Sequence, residues 1–167
     1  MTKGKRTQKQ AGFAVKTFPV SCASGEIKED INITTNTLSK TSEEQLINKA
    51  IKLHLEGNIQ EASKYYQYCL NQGFKDYRVF SNYGNILKEN SKLEEAELFT
   101  RKAIRLKPNL AEAHNNLGNI LRNLGKLKEA ELCTRKAIKL KPNLAEAQSN
   151  LGNILRNLGK LQEAELC

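Results

Sequence analysis

The chain has 167 residues with a formal net charge of +9, and 39% of them are hydrophobic but only 6% aromatic. An aliphatic core of this kind predicts an all-α domain more than a sheet. Charged or amide side chains interrupt every apolar stretch before it reaches the roughly 18 to 20 residues of a membrane-spanning helix, so we expect no membrane span. The four cysteines include no Cys-x-x-Cys pair, and with only two histidines this argues against a metal site and a disulfide framework.

Residues 1–42 are predicted to be a basic, disordered leader and linker. A basic start is followed by a weakly apolar stretch that Lys16 and Pro19 interrupt, which is a poor match to an export signal. Residues 28–41 are rich in Ser, Thr and Asn and have no helical period, as is typical of a linker. We therefore expect a cytoplasmic protein with reduced thiols.

An internal repeat occupies the rest of the chain. Residues 111–133 read AEAHNNLGNILRNLGKLKEAELC and residues 145–167 read AEAQSNLGNILRNLGKLQEAELC, so the sequence recurs after 34 residues. Continuing this period backwards without a gap divides the chain into four units, the last of them shortened: 43–76, 77–110, 111–144 and 145–167.

Residues that end helices recur within each unit and predict a pair of helices. A glycine ends the first helix at Gly57, Gly125 and Gly159, and Ser91 takes that place in the second unit. Pro108 and Pro142 end the second helix, because proline cannot donate the next intrahelical hydrogen bond. The first helices are predicted at 43–56, 77–90, 111–124 and 145–158.

Small residues recur at the eighth place of the units, as Ala50, Gly84, Gly118 and Gly152, and at the twentieth place, as Ala62, Ala96, Ala130 and Ala164. With these residues and its 34-residue period, the segment 43–167 resembles the tetratricopeptide repeat family. The resemblance implies an all-α fold, a right-handed superhelical solenoid of antiparallel helix pairs. It also implies that the first helix of each pair lines a concave groove.

The same resemblance implies that the sixth, ninth and twelfth places face this groove. Our candidate peptide-binding residues are therefore two asparagine rows and one basic row: Asn48, Asn82, Asn116 and Asn150; Asn85, Asn119 and Asn153; Lys88, Arg122 and Arg156. An asparagine can donate and accept, so such rows could bind an extended backbone regardless of its side chains. The basic row would favour acidic groups. Alternatively, the asparagines tie adjacent helices together.

These features predict a non-catalytic scaffold for protein–protein interaction, with no cofactor and no metal. The asparagine rows also resemble the repeats of protein O-GlcNAc transferases, so the alternative is a substrate-recruiting arm of a glycosyltransferase or sulfotransferase system. Chaperone-tail binding is disfavoured, because the fifth places lack the lysine that the resemblance would require: Ile47, Ser81, Asn115 and Ser149.

Three further expectations concern partners and reactive side chains. Basic patches attract nucleic acid, but no aromatic stacking row or recognition module accompanies them, which argues against that partner. The last helix lacks a polar cap and could mediate self-association. His114 is expected to be partly buried, and Cys133 and Cys167 to pack as small apolar residues.

Overall fold

The computed structural model describes residues 40–166. The predictions made for residues 1–39 of the leader and linker lie outside the described residues. The described residues form helices joined by short turns, in this order: α1 (Lys40–Leu55), α2 (Ile59–Asn71), α3 (Tyr77–Glu89), α4 (Leu93–Leu106), α5 (Ala111–Asn123), α6 (Leu127–Leu140), α7 (Ala145–Asn157) and α8 (Leu161–Ala164). None of these helices has the length and apolar character needed to cross a membrane.

The helix ends follow the predicted helix-ending residues closely. The backbone is left-handed where each first helix ends, with φ of 82° at Gly57, 74° at Gly125 and 75° at Gly159. Ser91 adopts the same conformation with φ of 61°, so the second unit forms the turn without a glycine. Each first helix ends one residue earlier than predicted, because the residue before the glycine belongs to the turn.

The start of the first helix differs from the prediction. Helix α1 begins at Lys40, inside the segment assigned to the linker, and includes Thr41 and Ser42. The repeat register placed the boundary at Glu43, but neither proline nor glycine precedes that residue closely enough to stop the helix. The acidic Glu43 in the first turn also favours a helix start here, because it complements the helix dipole.

The first helices form the inner layer of the solenoid. Cα atoms of α3 come within 8 Å of α1 and of α5, and α5 comes equally close to α7. The described second helices make no such approach to one another; α2, α4 and α6 each pack between two first helices, and α8 packs against α7. A stack with closer spacing on one side curves toward that side, so the first helices line its concave surface.

The core forms two clusters, and each contains residues from successive units. Ala62, Ala96, Ala130 and Ala137 are fully buried, so the helices approach closely at these small residues. Larger aliphatic residues such as Ile86, Ile120 and Ile154 fill the space between them. Cys69 is buried in the first cluster, and Cys133 packs partly buried beside Leu117 and Leu121 in the second. The apolar packing role expected of Cys133 is confirmed, whereas Cys167 lies outside the described residues.

Ion pairs connect successive second helices on the outer surface. Glu97 of α4 accepts from Arg101 at 2.9 Å and from Lys126 at 2.7 Å, while Arg101 also reaches Glu129 of α6 at 2.8 Å. Hydrogen bonds from Lys126 and Arg101 hold the pKa of Glu97 below its usual value. One unit later the same network recurs with the residues Glu131, Arg135, Lys160 and Glu163.

Candidate functional site

The sixth-place asparagines have different environments on the inner surface. Asn48 is exposed on α1 and Asn116 is half-buried on α5. Asn82 hydrogen-bonds the buried hydroxyl of Tyr66, whose pKa burial raises to about 12. Asn150 is only 8% exposed. Its amide donates to Asn115 Oδ1 at 3.0 Å, so this residue connects α7 to α5 as the alternative interpretation expected.

The fifth place explains this difference. Asn115 is 1% exposed and its side chain is long enough to accept from Asn150. The equivalent neighbour of Asn116 is Ser81, whose side chain is shorter, and no hydrogen bond of the Asn116 amide is found among the described residues. Asn116 therefore remains available on the inner surface.

The ninth-place asparagines share one degree of burial. Asn85, Asn119 and Asn153 are all half-buried. Asn119 Oδ1 accepts from Arg122 Nη2 at 2.8 Å, and Asn153 Oδ1 accepts from Arg156 Nη2 at 2.5 Å. The Oδ1 atom of Asn85 is buried and has no hydrogen-bond partner among the described residues. The amide oxygens of this row are thus occupied or enclosed.

The twelfth-place cations have no carboxylate partner within residues 40–166. Lys88 and Arg122 are half-buried, and Arg156 is exposed. Arg122 also reaches Asn123 Oδ1 at 3.4 Å, but it makes no ion pair with a described residue. In the first unit the twelfth place is His54, whose Nδ1 lies 3.4 Å from the Tyr66 hydroxyl, so this side chain packs against α2.

An open cleft of about 210 Å³ separates α3 from α5 on the inner surface. It brings together three of the candidate residues, Asn82, Asn85 and Asn116. The remaining lining comes from residues that were not selected from the sequence: Tyr77, Arg78, Ser81, Leu110 and Glu112. Arg78 and Glu112 occupy the second place, which the resemblance also assigns to the groove, so the repeat register could have identified them.

Charges at this end of the cleft are largely neutralised within the protein. Arg78 binds Glu44 at 2.6 Å and Asp76 at 2.9 Å, and these partners raise its pKa. Glu112 binds Lys141 at 2.8 Å, and this bond lowers the pKa of the carboxyl group. Lys88 and Arg122, which form no ion pair within residues 40–166, lie at the opposite ends of the same two helices.

The side chains of His114, Cys69 and Cys133 bond or pack within the protein. His114 is half-buried as predicted, and its Nε2 lies 2.9 Å from the carbonyl oxygen of Pro108. Gln148 donates to the Pro142 carbonyl at the same distance, 2.9 Å, so this place stabilises the preceding turn in both units. Burial raises the pKa of the Cys69 thiol to about 11, and burial also raises that of Cys133. Within the described part of the chain no group of three metal-ligating residues occurs.

Solved structures with similar folds are repeat proteins of low sequence identity. MamA from Desulfovibrio magneticus RS-1 is 20% identical with a TM-score of 0.68, over 75% of this chain and 71% of that one. The first repeat domain of Spaghetti (RPAP3), bound to an HSP90 peptide, is 23% identical with a TM-score of 0.66, over 72% of this chain and 96% of that one.

A Thermobaculum terrenum O-GlcNAc transferase is 22% identical with a TM-score of 0.65. That match covers 72% of this chain but only 23% of the transferase. No match was found among curated protein sequences.

Sequence profiles agree with the fold. Three profiles, each described as the tetratricopeptide repeat, match residues 77–110, 111–144 and 133–165. The first two coincide with the units read from the internal repeat. Together with the helix pairs of the structure, they show that the chain belongs to the tetratricopeptide repeat family.

Proposed function

We propose that this chain is a non-catalytic scaffold that binds a peptide or a partner segment along its inner surface. The observation that carries the proposal is the cleft between α3 and α5, where Asn82, Asn85 and Asn116 converge beside the apolar Leu110. Polar groups that converge in a concave surface can orient a bound backbone, and apolar lining can bury its side chains. The free thiols of Cys69 and Cys133 are compatible with a cytoplasmic location, which is part of this proposal.

The likeness to a repeat domain solved with an HSP90 peptide supports peptide binding as a general mode, but not the same ligand. Arg78, the cation that lines the cleft, is already bound to Glu44 and Asp76, so it is not free to bind the carboxylate tail of such a peptide. Asn115, at the fifth place, is buried and bonded to Asn150, so it is not available to a ligand. We therefore propose a ligand other than a chaperone tail.

A display library of random peptides tests the proposal directly. Peptides enriched on the full-length chain are labelled, and their dissociation constants are compared for the wild type and the variant Asn85→Ala/Asn119→Ala. Losing two hydrogen bonds of about 0.5 to 1.5 kcal/mol each should weaken binding about 5- to 150-fold. The matched control removes two exposed turn asparagines, Asn109→Ala/Asn143→Ala, and should bind as the wild type does.

Two results would contradict the proposal. One is a library selection in which no peptide is enriched on the folded wild-type chain. The other is a set of enriched peptides whose affinity is the same for both variants, since binding would then occur outside the inner surface. Circular dichroism of all three proteins excludes unfolding as the cause of a loss.

A second candidate function is a substrate-recruiting arm of a glycosyltransferase or sulfotransferase system. The supporting observation is the fold likeness to an O-GlcNAc transferase in which the matched segment is only 23% of the chain. Sequencing the transcript that encodes this chain distinguishes the two proposals. A reading frame that continues into a catalytic domain supports the arm, and a stop codon directly after Cys167 supports the independent scaffold.

A further inference from the structure

We infer that the inner surface selects an acidic, extended segment of a partner protein, in which carboxylates recur at about every third residue. This inference rests on the proposed peptide-binding function and specifies its ligand. It assigns the carboxylates to Lys88, Arg122 and Arg156, which we call the basic row. The intervening backbone is assigned to the ninth-place asparagines.

The hydrogen bonds of the ninth-place asparagines determine which groups remain for a ligand. An unbonded asparagine can both donate and accept, which would make the groove indifferent to the ligand. Here the oxygens of Asn119 and Asn153 are occupied by the arginine three residues later, and the oxygen of Asn85 is buried. The amide NH₂ groups and most of the guanidinium N–H groups remain for a ligand. A surface that presents donors selects acceptors, namely backbone carbonyls and carboxylates.

The arginines of the outer and inner surfaces differ in whether a carboxylate is bound to them. In the outer network each arginine already has carboxylates within 3 Å: Arg101 binds Glu97 at 2.9 Å and Glu129 at 2.8 Å. Arg122 and Arg156 have only amide oxygens as partners within residues 40–166. Because these cations form no ion pair with residues 40–166, a ligand carboxylate would give them an opposite charge without breaking one of the described ion pairs.

Acidic residues near the basic row do not remove this attraction. Glu112 is paired with Lys141, and Glu44 is paired with Arg78, at the other end of the first helices. Glu89 follows Lys88 directly and is exposed at the end of α3. The preference for acidic groups should consequently be strongest at Arg122 and Arg156, and weaker at Lys88.

The spacing of the basic row matches the rise of an extended peptide. Residues of the basic row are 34 positions apart and lie on neighbouring first helices, whose axes are expected to be about 8 to 10 Å apart. An extended peptide rises about 3.3 Å per residue, so about three residues span that distance. A helical ligand rises only about 1.5 Å per residue and would hide most of its backbone carbonyls from the asparagine amides. The donor row therefore favours the extended form.

Three labelled peptides of equal length test the inference by fluorescence anisotropy with the full-length chain. The first has glutamates at positions i, i+3 and i+6 in a serine and threonine background. The second has the same composition with the three glutamates adjacent, and the third has glutamine in place of every glutamate. We expect the spaced acidic peptide to bind about tenfold more tightly than either of the others, which corresponds to about 1.4 kcal/mol.

Charge-matched variants localise the effect. The variant Arg122→Gln/Arg156→Gln should remove the preference for the spaced peptide. The variant Arg101→Gln/Arg135→Gln removes the same charge from the outer network and should retain the preference. Equal affinity for the spaced and adjacent acidic peptides, or equal losses in the two variants, would overturn the inference in favour of unspecific attraction.

The remaining outcomes separate this inference from the proposed function. If the glutamine peptide binds as well as the spaced acidic peptide, and Asn85→Ala/Asn119→Ala weakens both, peptide binding stands and the acidic preference is wrong. If none of the three peptides binds although library peptides do, only the inference is wrong; if the library selection enriches no peptide either, both are wrong. A single-stranded oligonucleotide that binds more tightly than the spaced peptide, and is released by Arg122→Gln/Arg156→Gln, would identify nucleic acid as the occupant and overturn the inference.

Discussion

The glycine at the eighth place of the units offers a matched pair of substitutions. In Gly118→Ala the new Cβ would overlap Thr134 Oγ1 and lie 3.2 Å from the backbone oxygen of Ala130. Thr134 cannot move away without losing its 2.9 Å hydrogen bond to that same oxygen. In Gly84→Ala the Cβ would lie 2.7 Å from Thr100 Oγ1, while the next atoms are at the ordinary distances of 3.4 and 3.5 Å.

The contacts give an expected difference between the two variants. Overpacking typically costs about 1 to 3 kcal/mol, and the lost hydrogen bond adds about 1 kcal/mol. Alanine returns about 1 kcal/mol through its higher helix propensity. Gly118→Ala should therefore lower the free energy of unfolding by about 1 to 3 kcal/mol. Gly84→Ala should change it by less than about 1 kcal/mol, because the Thr100 hydroxyl makes no hydrogen bond with residues 40–166 that the substitution would break.

Urea unfolding followed by far-ultraviolet circular dichroism measures both values, and the double variant Gly118→Ala/Thr134→Ala provides the control. Removing the threonine side chain makes room for the new methyl group, so the double variant should be more stable than the sum of the single effects implies. Equal costs at Gly84 and Gly118, or additive effects at Gly118 and Thr134, would refute the steric explanation.

Two further predictions concern the ion pairs and the cleft. The pKa of Glu97 and of Glu131 is lowered in the folded state, so the unfolded chain binds more protons, and stability from these groups is lost as pH falls below about 4.3. In the variant Glu97→Gln/Glu131→Gln, the free energy of unfolding, measured with urea at several pH values, should fall less at acid pH than in the wild type, by about 0.2 to 1 kcal/mol per ion pair. An equal fall in the two proteins would contradict this. Ser81→Asn should engage Asn116 as Asn115 engages Asn150, raising the urea midpoint and weakening binding of library peptides, whereas unchanged binding would show that Asn116 is not a contact.

The fold could be predicted because its determinants are local and repeated. The turn at Gly125 needs a left-handed backbone, and Pro142 ends a helix whatever surrounds it. Ser91 forms the turn that glycine forms in the other units. The position in the repeat therefore predicts the turn better than the type of residue does. The start of α1 was missed because a repeat boundary defines a unit of packing, whereas a helix extends until a residue stops it.

The chemistry of the groove could not be predicted in the same way, because it depends on which neighbour each asparagine meets. Residues at the same place differ: Asn82 bonds Tyr66, whereas Asn150 bonds Asn115. The next units have Thr100 and Thr134 where the first has Tyr66, so the hydroxyl there lies on a much shorter side chain than the one that Asn82 reaches. An asparagine row in the sequence thus specifies where the amides lie, but not their polarity, that is, whether they present donors or acceptors. The polarity comes from the second residue of each pair. For Asn119 and Asn153 at the ninth place that residue is an arginine, which donates to the amide oxygen and leaves the amide N–H groups as the donors of the inner surface.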